Sequence, residues 1–76
     1  MHADDIKNLI QSHLPNATVN VDSKDGKHYR AQIVCVDFEG KTRIEQHQLV
    51  YAALDAAIKN GDIHAISLKT SPKPFS

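Results

Sequence analysis

The sequence predicts an α+β domain, a three-stranded sheet with helices packed on one face. Three observations predict it. Two stretches alternate apolar and polar residues across an Asp-Gly turn. A long apolar pattern at helical spacing follows, opened by Thr-x-x-Glu. A third alternating stretch closes the order α-β-β-α-β. Seventy-six residues suffice for one domain, residues 1–76, with 71–76 expected as a loose tail.

The elements follow in order. Asp4 and Asp5 suit the positive end of a helix dipole and can cap its orphan N–H groups. Ile6, Leu9, Ile10 and Leu14 recur at helical spacing until Pro15-Asn16 stops them, which gives a helix over about 4–14. Thr18-Val19-Asn20-Val21-Asp22 alternates as a half-buried strand does. Residues 23–27 form a turn around Asp25-Gly26, and His28 to Val36 read as the second strand of an antiparallel hairpin. Tyr29, Ala31, Ile33 and Cys35 share one face of it; Arg30, Gln32, Val34 and Val36 share the other. After the connector 37–40, Thr42 and Glu45 have the spacing of a capping box. Ile44, Leu49, Val50, Ala53, Leu54, Ala57 and Ile58 then run at helical spacing to a Gly61 C-cap, as one helix or two short ones. Ile63 to Thr70 alternates again, with His64, Ile66 and Leu68 on one face and Ile63, Ala65 and Ser67 on the other.

Composition excludes several functions. One cysteine rules out an internal disulfide framework and any all-cysteine metal site within one chain. Nine Lys+Arg against nine Asp+Glu, with only two Arg, argue against a strongly electrostatic binder of nucleic acid or membrane. No apolar run approaches the roughly 20 residues of a membrane helix, and the acidic N-terminus lacks a signal-peptide core, so a cytoplasmic protein is expected. No nucleophile–base motif, phosphate loop, dinucleotide glycine pattern or carboxylate pair is visible, and no enzyme is expected.

Five histidines stand out. Imidazole can ligate metal and titrates near neutrality. His2 falls in the terminus and is expected to be ornamental. His13, near the end of the first helix, suits the negative end of its dipole. The spacing of His28, His47 and His64 matches no zinc signature, so from spacing alone His64 reads as a half-buried residue bonded to backbone. Cys35 reads as a small buried hydrophobe. Lys41 and Arg43, with Lys69 and Lys73, form at most a modest basic patch on a charge-balanced surface.

Four stretches together resemble the BolA family, and within it the short IbaG-like members. His28-Tyr29 is similar to the family's His-aromatic strand start. Phe38-Glu39-Gly40-Lys41-Thr42-Arg43 resembles its Phe-x-Gly-x-x-Arg connector. Gln46-His47-Gln48-Leu49-Val50-Tyr51 resembles its Arg-His-Arg/Gln-x-Val-Tyr helix, and Ile63-His64-Ala65-Ile66 its Val/Ile-His-Ala-Leu strand. The resemblance spans about residues 5–72 and implies a class II KH-like fold. It further implies a monothiol glutaredoxin partner and a bridging [2Fe–2S] cluster, bound between the two proteins and glutathione. His64 corresponds to the family's best-kept ligand. A second ligand comes from the loop before strand two. Some members carry Cys there, four residues before the aromatic; this chain has Asp25, and His28 is the nearest usable ligand. Imidazole in place of thiolate would raise the cluster's potential and make its binding sensitive to pH. Many members continue after the last strand with Thr-Pro and a Trp-containing helix, where this chain has Thr70-Ser71-Pro72.

Two main functions therefore stand, beside a plainer third in which the apo-protein modulates a glutaredoxin without sharing metal. One is an adaptor in iron–sulfur cluster trafficking or iron sensing, with His64 and His28 as ligands. The alternative, also attributed to the family, is a DNA-binding transcriptional regulator. There Lys41 and Arg43 would contact phosphate, and Gln46, His47 and Gln48 would reach bases. RNA binding is disfavoured, because Gly26, Gly40 and Gly61 lie too far apart for a Gly-x-x-Gly clamp. The sequence leaves open whether the chain forms homodimers.

Overall fold

The computed structural model describes residues 2–63 and 65–74. The elements are α1 (Ala3–His13), β1 (Thr18–Ser23), β2 (His28–Val34), a 3-10 turn (Val36–Phe38), α2 (Arg43–Lys59) and β3 (Ala65–Ser71). The mixed α+β class is as the sequence predicts, and the main helix is a single one.

The sheet order is β1-β2-β3. β1 and β2 pair antiparallel, with Val19 opposite Ile33 and Ser23 opposite Tyr29. β2 and β3 pair parallel, with His28 opposite Ala65 and Val34 opposite Ser71. A parallel pair needs a long crossover, which the connector and α2 supply. Val19, Tyr29, Ala31, Ile33 and Cys35 turn to the helices and are buried, while Asn20, Arg30, Gln32, Ser67 and Lys69 face away and are exposed. Onto the apolar face pack Ile6 and Ile10 of α1, Val50, Leu54 and Ala57 of α2, and Phe38 from the connector.

Local chemistry sets the element ends. His2 is the N-cap residue of α1 rather than ornamental, and the Asp5 carboxylate reaches back to accept from its backbone N–H at 2.9 Å. Past the helix end, the Gln11 side-chain amide donates to the Ala17 carbonyl at 2.6 Å and ties down the Pro15-Asn16 reversal. Thr42 and Glu45 form the expected capping box on α2. Gly61 follows the Asn60 C-cap with φ +85°, the left-handed conformation that favours glycine.

Four expectations shift. β2 ends at Val34, because the Phe38 N–H reaches the Cys35 carbonyl at 3.0 Å and coils the chain, leaving Val36 64% exposed. That coil delivers the Phe38 ring to the core. Ile44 and Ile58 lie off the buried stripe of α2, at 72% and 39% exposure, because the stripe runs through positions 46, 50, 54 and 57. Ile63 is buried before β3 starts rather than lying on the exposed Ala65/Ser67 face, and its N–H donates to the Ala57 carbonyl at 3.2 Å. β3 continues to Ser71, whose carbonyl accepts from Cys35 N–H at 3.0 Å, so the tail begins one residue later than expected. Phe75 and Ser76 of that tail lie outside the described residues.

Gln46 needs a separate correction. The DNA-binding alternative has it reaching bases, but it is only 8% exposed, on the buried face of α2. Its amide N–H donates to the Lys41 carbonyl at 2.9 Å, with a longer contact to the Phe38 carbonyl at 3.4 Å. Its amide oxygen accepts from the Thr70 hydroxyl at 2.6 Å. A buried amide must find such partners or bear the desolvation cost. Gln46 thus joins the connector, α2 and β3.

Two outcomes follow for stability. Gln46→Ala should destabilise by about 1–3 kcal/mol in urea unfolding, because it strands buried polar partners. Gln48→Ala, on the exposed face, should stay within about 0.5 kcal/mol. Equal losses would contradict the network. The second outcome concerns pH. The Thr42 backbone N–H, and after it the Thr42 side chain, hold the Glu45 carboxyl below its ordinary value. The lowered value favours the ionised form in the folded state. The contribution is therefore present above the ordinary carboxylate range and lost as pH falls through the lowered value. Glu45→Gln keeps an acceptor for Thr42 but does not titrate. The stability gap between wild type and Glu45→Gln should close on acidification, as read by urea unfolding across the acid range.

Candidate functional site

The hairpin turn is built around one carboxylate. Asp25 Oδ1 accepts from the backbone N–H groups of Lys27 and His28, both at 2.9 Å. This is the local bonding that makes Asp a turn residue. The other oxygen, Oδ2, lies 2.8 Å from Nδ1 of the His28 ring. The bonds from His28, and then those from the backbone, drive the Asp25 carboxyl far below its ordinary value, so it is ionised and can only accept. Gly26 takes φ +74° to close the turn. Ser23 Oγ accepts from Gly26 N–H and donates to the His28 carbonyl, each at 2.8 Å. The buried Tyr29 ring points its hydroxyl back to the Gly26 carbonyl at 2.8 Å. His28 is therefore held on its backbone and on one ring nitrogen, while 68% of its side chain remains exposed.

Beside it runs a shallow cleft of about 240 Å3, lined by Asp22, Lys24, Asp25, His28, Arg30 and Ser67 among others. Ser67 comes from β3 and the rest from the hairpin. The cleft thus spans the β2–β3 junction. His28 is the register partner of Ala65, the residue after His64 in the chain. His64, the first expected ligand, lies outside the described residues. Among the described residues no group of three or more His, Cys, Asp and Glu side chains is placed to hold a metal ion. Cys35 is only 1% exposed, burial pushes its thiol pKa up, and the thiol donates to the Asp37 carboxylate at 3.6 Å. A thiol buried there is not presented to a partner's metal. Among the described residues His28 offers an exposed imidazole with a carboxylate behind it, a donor that suits a metal.

The other candidates gather at the start of α2. Lys41, Arg43 and Gln48 are exposed and His47 is half-buried. Arg43 and His47 share a groove of about 420 Å3 with Leu68, Lys69, Thr70 and Ser71 of β3. Lys41, Gln48 and Lys73 do not line it. The sequence allows at most a modest basic patch from Lys41, Arg43, Lys69 and Lys73; of these the structure brings Arg43 and Lys69 to one groove, with His47. Sequence reasoning missed the role of Asp25, although Asp-x-x-His across a Gly-containing turn carries that signal. It also missed Thr70, which alternation placed on the Ile66/Leu68 face.

Comparison with known proteins bears on the family and the fold. The family model BolA, described as BolA-like protein, matches residues 4–73. The chain is 33% identical over 69 residues to acid stress protein IbaG of Escherichia coli strain K12, covering 91% of this chain and 81% of that protein. Protein BOLA2 of Arabidopsis thaliana is 34% identical over 56 residues, which cover 74% of this chain but only 58% of BOLA2. The structure of a bolA protein homologue from Coxiella burnetii superposes with a TM-score of 0.83 at 40% identity, over 95% of this chain and 92% of that one. Among the described residues no helix is long and apolar enough to cross a membrane. The hairpin, the capped main helix and the final parallel strand all fall within the matched residues, and the chain belongs to the BolA family.

Proposed function

We propose that this chain is a cytoplasmic adaptor that pairs with a monothiol glutaredoxin and shares a [2Fe–2S] cluster with it, in cluster trafficking or iron sensing. His64 and His28 are this chain's ligands, and the partner and glutathione supply thiolates. The observation that supports this reading most is the exposed His28 imidazole, backed by Asp25 and opposite the residue that follows His64. Among the described residues no full ligand set is assembled, which suits a cluster whose other ligands come from a partner. The burial of Cys35 points the same way, since it leaves this chain to contribute imidazole rather than thiolate.

A second reading, docking on DNA, draws on the groove that carries Arg43, His47 and Lys69. Phosphate contacts from Lys41 and Arg43 remain open to it, with His47 and Gln48 near bases, but Gln46 does not. Zero formal charge weighs against it.

The test mixes the protein anaerobically with a monothiol glutaredoxin carrying its glutathione-ligated [2Fe–2S] cluster and records visible circular dichroism. A new spectrum should form with wild type, vanish with His64→Ala, weaken with His28→Ala and persist with His47→Ala. No spectral change with folded wild type would overturn the cluster reading and bring DNA docking forward. Loss with His47→Ala but not with His28→Ala would overturn the ligand assignment.

A further inference from the structure

We propose that Asp25 is the positioning residue that decides which nitrogen of His28 is offered to a ligand. It selects the Nδ1–H tautomer and leaves Nε2 as the lone-pair donor. The inference rests on the cluster reading only for what Nε2 binds; its effect on the ring belongs to the free protein.

Asp25 Oδ2 and His28 Nδ1 are 2.8 Å apart, a hydrogen-bond distance. An ionised carboxylate has no proton to give, so the proton sits on Nδ1. A neutral imidazole carries one N–H, so Nε2 is then bare. The carboxylate is itself immobilised, because its other oxygen accepts two backbone N–H groups of the turn. The His28 main chain is fixed on its far side by Ser23 Oγ. Turn, carboxylate and ring form a chain of restraint that ends at Nε2, on a side chain 68% exposed. Carboxylate support of this kind orients metal-bound histidines and raises their basicity, and its loss typically costs about 10–100-fold in metal affinity. Asp25 therefore serves the ligand without being one.

The test uses Asp25→Asn, whose side-chain oxygen can still accept from Lys27 and His28 N–H, so the turn is kept. Its amide cannot replace both carboxylate oxygens as acceptors. The first readout is the 15N shift pattern of the His28 ring in the apo protein, at a pH above the ordinary histidine value of about 6.5. Wild type should show a protonated Nδ1 and a bare Nε2. Asp25→Asn should move the ring away from that state towards protonation on Nε2, because the amide that replaces Oδ2 can only donate to Nδ1, with amide shifts outside the turn unchanged. A wild-type ring protonated on Nε2 would overturn the proposal. The second readout is the affinity for the cluster carried by glutaredoxin, followed by visible circular dichroism. Asp25→Asn should lose about 10–100-fold. A shifted tautomer with undiminished affinity would overturn the positioning role. Absence of any shared spectrum with wild type would instead overturn the cluster reading, and the apo ring pattern would still decide whether Asp25 sets the tautomer.

Discussion

The double pairing of β2 is the constraint on which the rest depends. Among the described strands it alone is hydrogen-bonded along both edges, antiparallel to β1 and parallel to β3. Its odd positions Tyr29, Ala31 and Ile33 carry the middle of the core, and Cys35 continues the same face. Because side chains alternate with a period of two, a one-residue slip against either neighbour would turn that set out to solvent. The same register puts His28 at the strand's first position, opposite Ala65. Core packing and the candidate site are thus set by one alignment. The site needs no separate scaffold beyond the turn that begins β2.

Two polar centres hold the ends of this arrangement. At one end, Asp25 organises the turn and engages the ring of His28. At the other, Gln46 bonds the connector carbonyls and Thr70 from inside the fold. Their chemical situations differ. Asp25 is exposed and ionised, so its bonds direct a side chain rather than support the core. Gln46 is neutral and buried, so its bonds are obligatory and it is unavailable to a partner. That difference removes Gln46 from a nucleic-acid surface while leaving Arg43, His47 and Gln48 at or near that surface.

Local signals in the sequence were easy to read. The Thr42/Glu45 capping box, the Asp25-Gly26 turn and the Gly61 stop all involve residues within a few positions of each other, and each forms as expected. The buried face of β2 was legible because alternation is a local pattern. The parallel register of β3 was not, because it joins residues more than thirty positions apart and depends on where α2 returns the chain. The burial of Gln46 was hidden for a related reason. A glutamine on a helix looks like surface until the connector carbonyls and Thr70 are brought to it. Ile44 and Ile58 erred in the opposite sense, since apolar type alone does not say which side of a helix the sheet occupies. In the sequence Asp25 stands where a thiolate is absent, and its spacing to His28 also permits the carboxylate–imidazole bond. His64 is identified by resemblance and lies outside the described residues.

The central claim is that two imidazoles of this chain bind the cluster held with glutaredoxin. Electron–nuclear double resonance on the reduced shared cluster tests it most directly, with 15N-histidine in this chain alone. The account predicts couplings from two histidine nitrogens, one of them lost in His28→Ala. A cluster that forms in the complex without any histidine nitrogen coupling from this chain would contradict it.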